Sequence, residues 1–202
     1  MPVALTIEPV PVLTDWPARK RWTRAECEKL EMYGLLELER YELIEGELID
    51  TMGKNQPHII WLTLIQTWFN RLFPQCVLAE AMLDVSPADE PTNDPQPDLM
   101  VLRRPIISFL TIRPRAADVA LLIEVSDSSL AFDADIKARL YARAGIADYW
   151  VVDIRTRRLM VFRNPVDGEY RTATTHAADE SVSPLAAPEA QLRINDILPA
   201  EN

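Results

Sequence analysis

Two acids and a lysine sit where their chemistry is at odds with the residues around them. Glu124 interrupts the apolar run "ALLIEV", Asp98 opens "DLMVL" after a Gln-Pro pair, and Lys137 lies in "DADIKARLYARAG", the amphipathic segment that follows the Glu124 strand. An ionised carboxylate in a buried strand is costly unless it is paired, hydrogen-bonded or bound to a metal. Two or three carboxylates with one lysine form a set suited to phosphodiester hydrolysis. Hard oxygen ligands take Mg²⁺ or Mn²⁺, which can bridge a phosphate and lower the pKa of bound water. A nearby ammonium can orient that water or offset charge developing on the phosphoryl oxygens. Glu47, beside a tight turn, is a further candidate carboxylate.

Each residue also has a plainer reading. Glu124 can lie at an exposed strand end or pair with Arg139, and Asp98 can cap a turn, as acids at Pro-Asp boundaries do. Lys137 stands four residues after Asp133, the spacing of an ordinary helical surface pair. Glu47 can be a solvated hairpin residue. His58, at the start of an apolar helix, reads as a packing or capping residue. Spacing alone does not decide among these.

The elements that must position the acids follow from patterning. Prolines at 2, 9, 11 and 17 mark residues 1–20 as an extended arm, leaving residues 21–202 as one domain. "TRAECEKLEMYG" has a capping box, Thr23 with Glu26, and a helix stop at Gly34. Alternation about Glu45 and Gly46 predicts a hairpin from Tyr41 to Met52. "HIIWLTLIQTWFNRLF" is apolar on nearly every side, a helix for the core or for a second subunit. "CVLAEAMLDVS" and "PDLMVL" read as strands, "RRPIISFLTIRPRA" as an irregular excursion, and "DVALLIEVS" as a buried strand. A helix from Asp133 to Ala144, closed by Gly145, then leads to the strand "DYWVVDI" and a hairpin about "VDG". The strand–helix–strand unit from Ala120 to Ile154 implies one parallel crossover, and the whole order implies an α/β fold with a mixed central sheet flanked by helices. No Gly-rich loop follows a strand, which argues against dinucleotide and P-loop chemistry.

Composition narrows the function classes. The chain has 202 residues, 48% hydrophobic, enough for a substantial core, and a net charge of −10, which argues against binding nucleic acid through the whole surface. From Asp98 to Arg163, however, eleven Lys and Arg stand against eight Asp and Glu, so a neutral to mildly basic face is available beside Glu124. The two cysteines, Cys27 and Cys76, lack partners at metal spacing and read as thiols of a reducing compartment. No run of about 18 apolar residues occurs, and the N-terminus lacks the features of a signal peptide, so the cytoplasm is the expected location.

The segments "YELIEGEL", "QPDLMVL", "LLIEVSDSS", "DADIKARLYARAGIADYWVVD" and "SPLAAPEAQLRINDIL" together resemble the putative restriction endonuclease family, first catalogued as a domain of unknown function, within the PD-(D/E)XK nuclease superfamily. The likeness runs from about Trp22 to Leu198. It implies a restriction-endonuclease-like fold and a Mg- or Mn-dependent DNA endonuclease. In it, Asp98, Glu124 and the carbonyl of Val125 hold metal, Lys137 is a lysine moved from the strand to the following helix, and Glu47 is an additional N-terminal acid. Ser126 stands where the usual superfamily pattern has its lysine, and Ser126, Asp127 and Ser128 replace the family's common Leu-Ser-Pro. The alternatives are a catalytically silent nuclease-fold protein for DNA binding, regulation or assembly, and a small-ligand-binding α/β domain. The apolar helix after Pro57 also suggests a homodimer.

Overall fold

A computed structural model describes residues 19–37, 40–51 and 55–198 of the chain. Nearly all of the expected arm lies outside the described residues, as does the Met52 end of the expected hairpin. Helix α1 (Arg24–Met32) begins at Thr23, whose side chain accepts from the Glu26 N–H while the Glu26 side chain accepts in return, the capping box read from the sequence. Gly34 follows it with a positive φ of 68°, a conformation glycine adopts without steric cost. Strands β1 (Tyr41–Ile44) and β2 (Glu47–Asp50) form the hairpin, turning through Glu45 and Gly46. A side chain at Gly46 would strike Arg21 Cβ at 2.8 Å, so close approach as well as backbone conformation reserves that turn for glycine.

The sheet has six strands in the order β3 (Val77–Ala79), β4 (Leu99–Leu102), β5 (Val119–Ser126), β6 (Asp148–Asp153), β7 (Arg158–Val166) and β8 (Glu169–His176). All neighbours are antiparallel except β5 and β6, which run parallel. That pair is the single crossover expected from the pattern. Its connection is helical: α3 (Leu130–Phe132), a π-helical turn (Asp133–Lys137) and α4 (Ala138–Arg143). The helical segment therefore starts three residues before the expected Asp133 and carries an irregular turn that periodicity does not reveal. The "CVLAEAMLDVS" stretch contributes only three residues of strand.

Both faces of the sheet are covered, which is why β5 and β6 read as continuous apolar runs. Helix α2 (Gln56–Leu72) buries the stripe His58, Leu62, Ile65 and Phe69, and Leu62, Ile65 and Phe69 pack with Leu121, Ile123, Val125 and Trp150 on one face. Beside them lie Ile194 and Ile197 of α5 (Ile194–Ile197), which follows the short pair β9 (Ser181–Val182) and β10 (Leu192–Arg193). On the other face Leu140 and Tyr141 of α4 pack against Leu122, Tyr149, Val151 and Phe162. The alternation of β5 therefore sends Leu121, Ile123 and Val125 toward α2, and Leu122 and Glu124 toward α4. Glu124 is the exception on that second face. Ile59, Ile60 and Leu64 of α2 remain exposed.

Candidate active site

The register of the sheet brings the two acids together. The last paired residues of β4 and β5 are Leu99 and Ile123. One step further along the same register, Asp98 stands opposite Glu124, on the face shared by Met100 and Leu122. The pair is cross-linked through the backbone: the Asp98 N–H donates to Glu124 Oε2 (3.2 Å), and the Val125 N–H donates to Asp98 Oδ2 (2.8 Å). Both acids and Val125 line an open cavity of about 150 Å³ at this end of the sheet.

Lys137 reaches the same cavity from the π-helical turn. Its ammonium lies 2.8 Å from Glu42 Oε2, 3.0 Å from Glu124 Oε1 and 4.0 Å from Asp133 Oδ1. It is thus no surface partner of Asp133 but the centre of a buried cluster, 6% exposed against 5% for Glu42 and 2% for Glu124. Glu124 Oε1 accepts a second bond, from the Tyr141 hydroxyl at 2.8 Å. Asp133 is held by the hydroxyls of Ser126 (2.5 Å) and Ser129 (2.6 Å), and Tyr149 donates to its carbonyl. Those bonds fix the turn from which Lys137 projects. Ser126, the position at which the resemblance implied a lysine, anchors that turn through its hydroxyl.

Burial pushes the Glu124 carboxyl well above the usual range, opposed by Lys137 and reinforced by Asp98, Asp133 and Glu42. Glu42 moves the same way for the same first cause. For Lys137, burial acts to lower the ammonium, but Glu124, Glu42 and Asp133 outweigh it and hold it well above the ordinary lysine value. The ammonium is the firmer of the two because it faces three carboxylates, whereas each carboxylate faces one ammonium. Burial also raises Tyr141, so its hydroxyl stays a donor to Glu124.

Glu47 does not join this group. It is exposed at the turn end of β2, opposite Ile44, and the N-terminal acid at the cavity is Glu42. The two share one face of the hairpin. Glu42, paired with Ile49, is one step deeper toward the cavity, and Glu47 is one step nearer solvent. From the sequence, Asp133 reads only as a surface partner of Lys137 and Tyr141 only as a neighbour on its stripe, and Glu42 is not singled out, although strand alternation places it on one face with Ile44. His58, read as a capping or packing residue, lies on the buried stripe of α2 and lines the cavity, its Nε2 3.3 Å from Asp98 Oδ1. The capping is done by Asn55, whose side chain accepts from the His58 N–H and donates to Asp127.

Among the described residues, no three His, Cys, Asp or Glu side chains are grouped to hold a metal ion. Asp98 and Glu124 bring carboxylate oxygens to the cavity, the hard donor type that Mg²⁺ and Mn²⁺ take.

Residues 25–195 match the Uma2 family, described as "Putative restriction endonuclease". A crystal structure of a putative nuclease belonging to DUF820 from Anabaena variabilis superposes with a TM-score of 0.63 at 19% identity, covering 83% of this chain and 95% of that one, a likeness of fold. No curated protein matches the chain. Among the described residues no helix is long and apolar enough to cross a membrane.

Proposed function

The chain belongs to the Uma2 family of restriction-endonuclease-like proteins, and from that premise we propose that it is a metal-dependent nuclease acting on DNA phosphodiesters. The observation that carries this reading is the convergence of Asp98, Glu124 and Lys137 on one cavity although they are far apart in sequence. Asp98 and Glu124 would hold Mg²⁺ or Mn²⁺, with the Val125 carbonyl as a further ligand. A bound ion supplies Lewis-acid stabilisation of phosphoryl oxygen and a water of lowered pKa.

The chain's own groups have separate tasks. The N–H groups of Asp98 and Val125 fix the two carboxylates, and Tyr141 holds Glu124 in one rotamer. Lys137, with two of its three protons directed at Glu42 and Glu124, keeps one to orient water or to meet charge on a phosphoryl oxygen. Glu42 acts through Lys137, as a positioning residue. We further propose a homodimer that covers Ile59, Ile60 and Leu64 of α2; sedimentation showing only monomer at micromolar concentration would exclude it.

A second reading has specific support. The lack of a three-side-chain metal group among the described residues, and the engagement of Lys137 by two carboxylates, suit a nuclease-fold protein that binds DNA without cleaving it. Family and fold support the nuclease scaffold more directly than they support turnover. The two readings separate on a mixed panel of supercoiled, linear, branched and single-stranded DNA with Mg²⁺ or Mn²⁺. Cleavage that is lost in Asp98→Asn and Lys137→Met proteins supports the enzyme. DNA binding without cleavage by any of them supports the silent scaffold.

A further inference from the structure

The segment between β4 and β5 is pinned to the domain and yet displays apolar side chains to solvent. Phe109 is buried, with the Arg104 guanidinium 4.6 Å over its ring. The Arg103 N–H donates to the Asp118 carbonyl (2.8 Å), the Ile106 N–H to the Gln75 carbonyl (2.7 Å), and the Asp84 N–H to the Pro114 carbonyl (3.0 Å). From this fixed backbone Ile107, Leu110 and Ile112 project 66%, 77% and 55% exposed. Arginines stand at 103, 104, 113 and 115, and no acid occurs from 103 to 117, in a chain whose net charge is −10. Exposed aliphatics held in place among cations mark a contact surface. The segment leaves β4 and rejoins β5 at the end of those strands opposite Asp98 and Glu124, and none of residues 103–117 lines the cavity.

A surface of opposite charge and similar apolar character lies on the same chain. Around the end of α1, Met32, Tyr33 and Leu35 are 71%, 72% and 73% exposed, and from Glu26 to Glu37 four glutamates stand against one lysine. The two surfaces are braced on one pair of acids: Arg24, at the start of α1, and Arg113, near the end of the segment, both pair with Asp84 and Asp94. We propose that a second copy of this chain covers the segment, each copy laying the acidic end of its α1 on the arginines and aliphatics of the other about a two-fold axis. A reciprocal contact of this kind matches charge and covers both apolar groups at once. It is separate from the α2 face and does not rest on the nuclease reading.

Sedimentation velocity of the full chain tests this, with three double variants at exposed positions: Ile107→Asp with Leu110→Asp, Arg103→Glu with Arg115→Glu, and Glu28→Lys with Glu31→Lys. The wild type is expected to self-associate at micromolar concentration, more weakly as salt is raised. Each variant alone should lose about tenfold or more in association constant, because it sets a charge against an apolar group or like charges against each other. An equimolar mixture of the two charge-reversed proteins should recover association, since every reversed charge then meets its opposite; a folding defect gives no such recovery. Ile59→Asp with Leu64→Asp should retain the contact. A monomeric wild type, association unchanged by the segment variants, or no recovery on mixing overturns the proposal. Binding to a short DNA duplex or to phosphatidylglycerol vesicles that the Arg103→Glu, Arg115→Glu protein loses while it still self-associates overturns it as well, in favour of an anionic partner.

Discussion

Replacing Lys137 by methionine tests the electrostatics of the cavity without any substrate. Methionine keeps much of the apolar stem and removes the ammonium that stands 2.8 Å from Glu42 and 3.0 Å from Glu124. Breaking a buried ion pair by deleting one partner typically costs about 3–5 kcal/mol, because the remaining charge has no compensation. In a domain of this size that is a fall in Tm of roughly 6–20 °C. The loss must depend on pH, and its sign follows from the shifts. Burial raises the folded-state values of Glu124 and Glu42 above 4.5, so their contribution favours folding at low pH and is lost as pH rises through the folded values. Without the ammonium those values rise further. The deficit of Lys137→Met should therefore be largest near pH 8 and shrink toward pH 4.5, where protonated carboxyls need no counter-charge and only a packing change of under about 1.5 kcal/mol remains. The raised Lys137 value itself matters only in strong alkali, above 10.5. Urea unfolding of both proteins in EDTA, at intervals from pH 4.5 to 8, measures this. A deficit below about 1 kcal/mol at pH 8, or one that does not change with pH, would refute the buried-cluster reasoning.

Three further outcomes are expected. Glu42→Ala should reduce cleavage and stability, whereas Glu47→Ala, at an exposed position, should leave both unchanged; parallel unfolding and cleavage assays distinguish them. Tyr141→Phe removes a hydrogen bond to a charged acceptor and should cost about 1.5–3 kcal/mol by chemical denaturation, with metal affinity altered less than by Glu124→Gln. Asp148→Ala should cost about 3–5 kcal/mol while leaving cleavage per folded molecule intact, because it removes the acceptor of the Trp150 indole N–H and the Leu185 N–H and the counter-charge of Arg163, none of which lines the cavity.

Much of this arrangement was legible in the sequence for identifiable reasons. The capping box at Thr23, the hairpin glycine at 46 and the change from strand to helix and back around Ser126 and Gly145 are local signals, and local signals survive folding. Asp98, Glu124 and Lys137 could be chosen because each breaks an apolar or amphipathic pattern. What could not be read is what depends on distant segments. Glu42 and Glu47 share a face of one hairpin, and only the packing of that hairpin against α4 and β5 decides which acid is buried. The π-helical turn depends on Asp133 being held by Ser126 and Ser129, contacts that no period reveals. His58 reads as a capping or packing residue of an apolar helix start, and only the fold brings it beside Asp98.

In the proposed mechanism, Asp98 and Glu124 share a divalent ion beside Lys137. The most direct test is the anomalous difference map of crystals grown with Mn²⁺. A peak within bonding distance of both carboxylates, absent in Asp98→Asn crystals, is the result predicted. A fully ordered cavity with no peak at saturating Mn²⁺, or a peak bound only by surface acids outside it, would contradict the account.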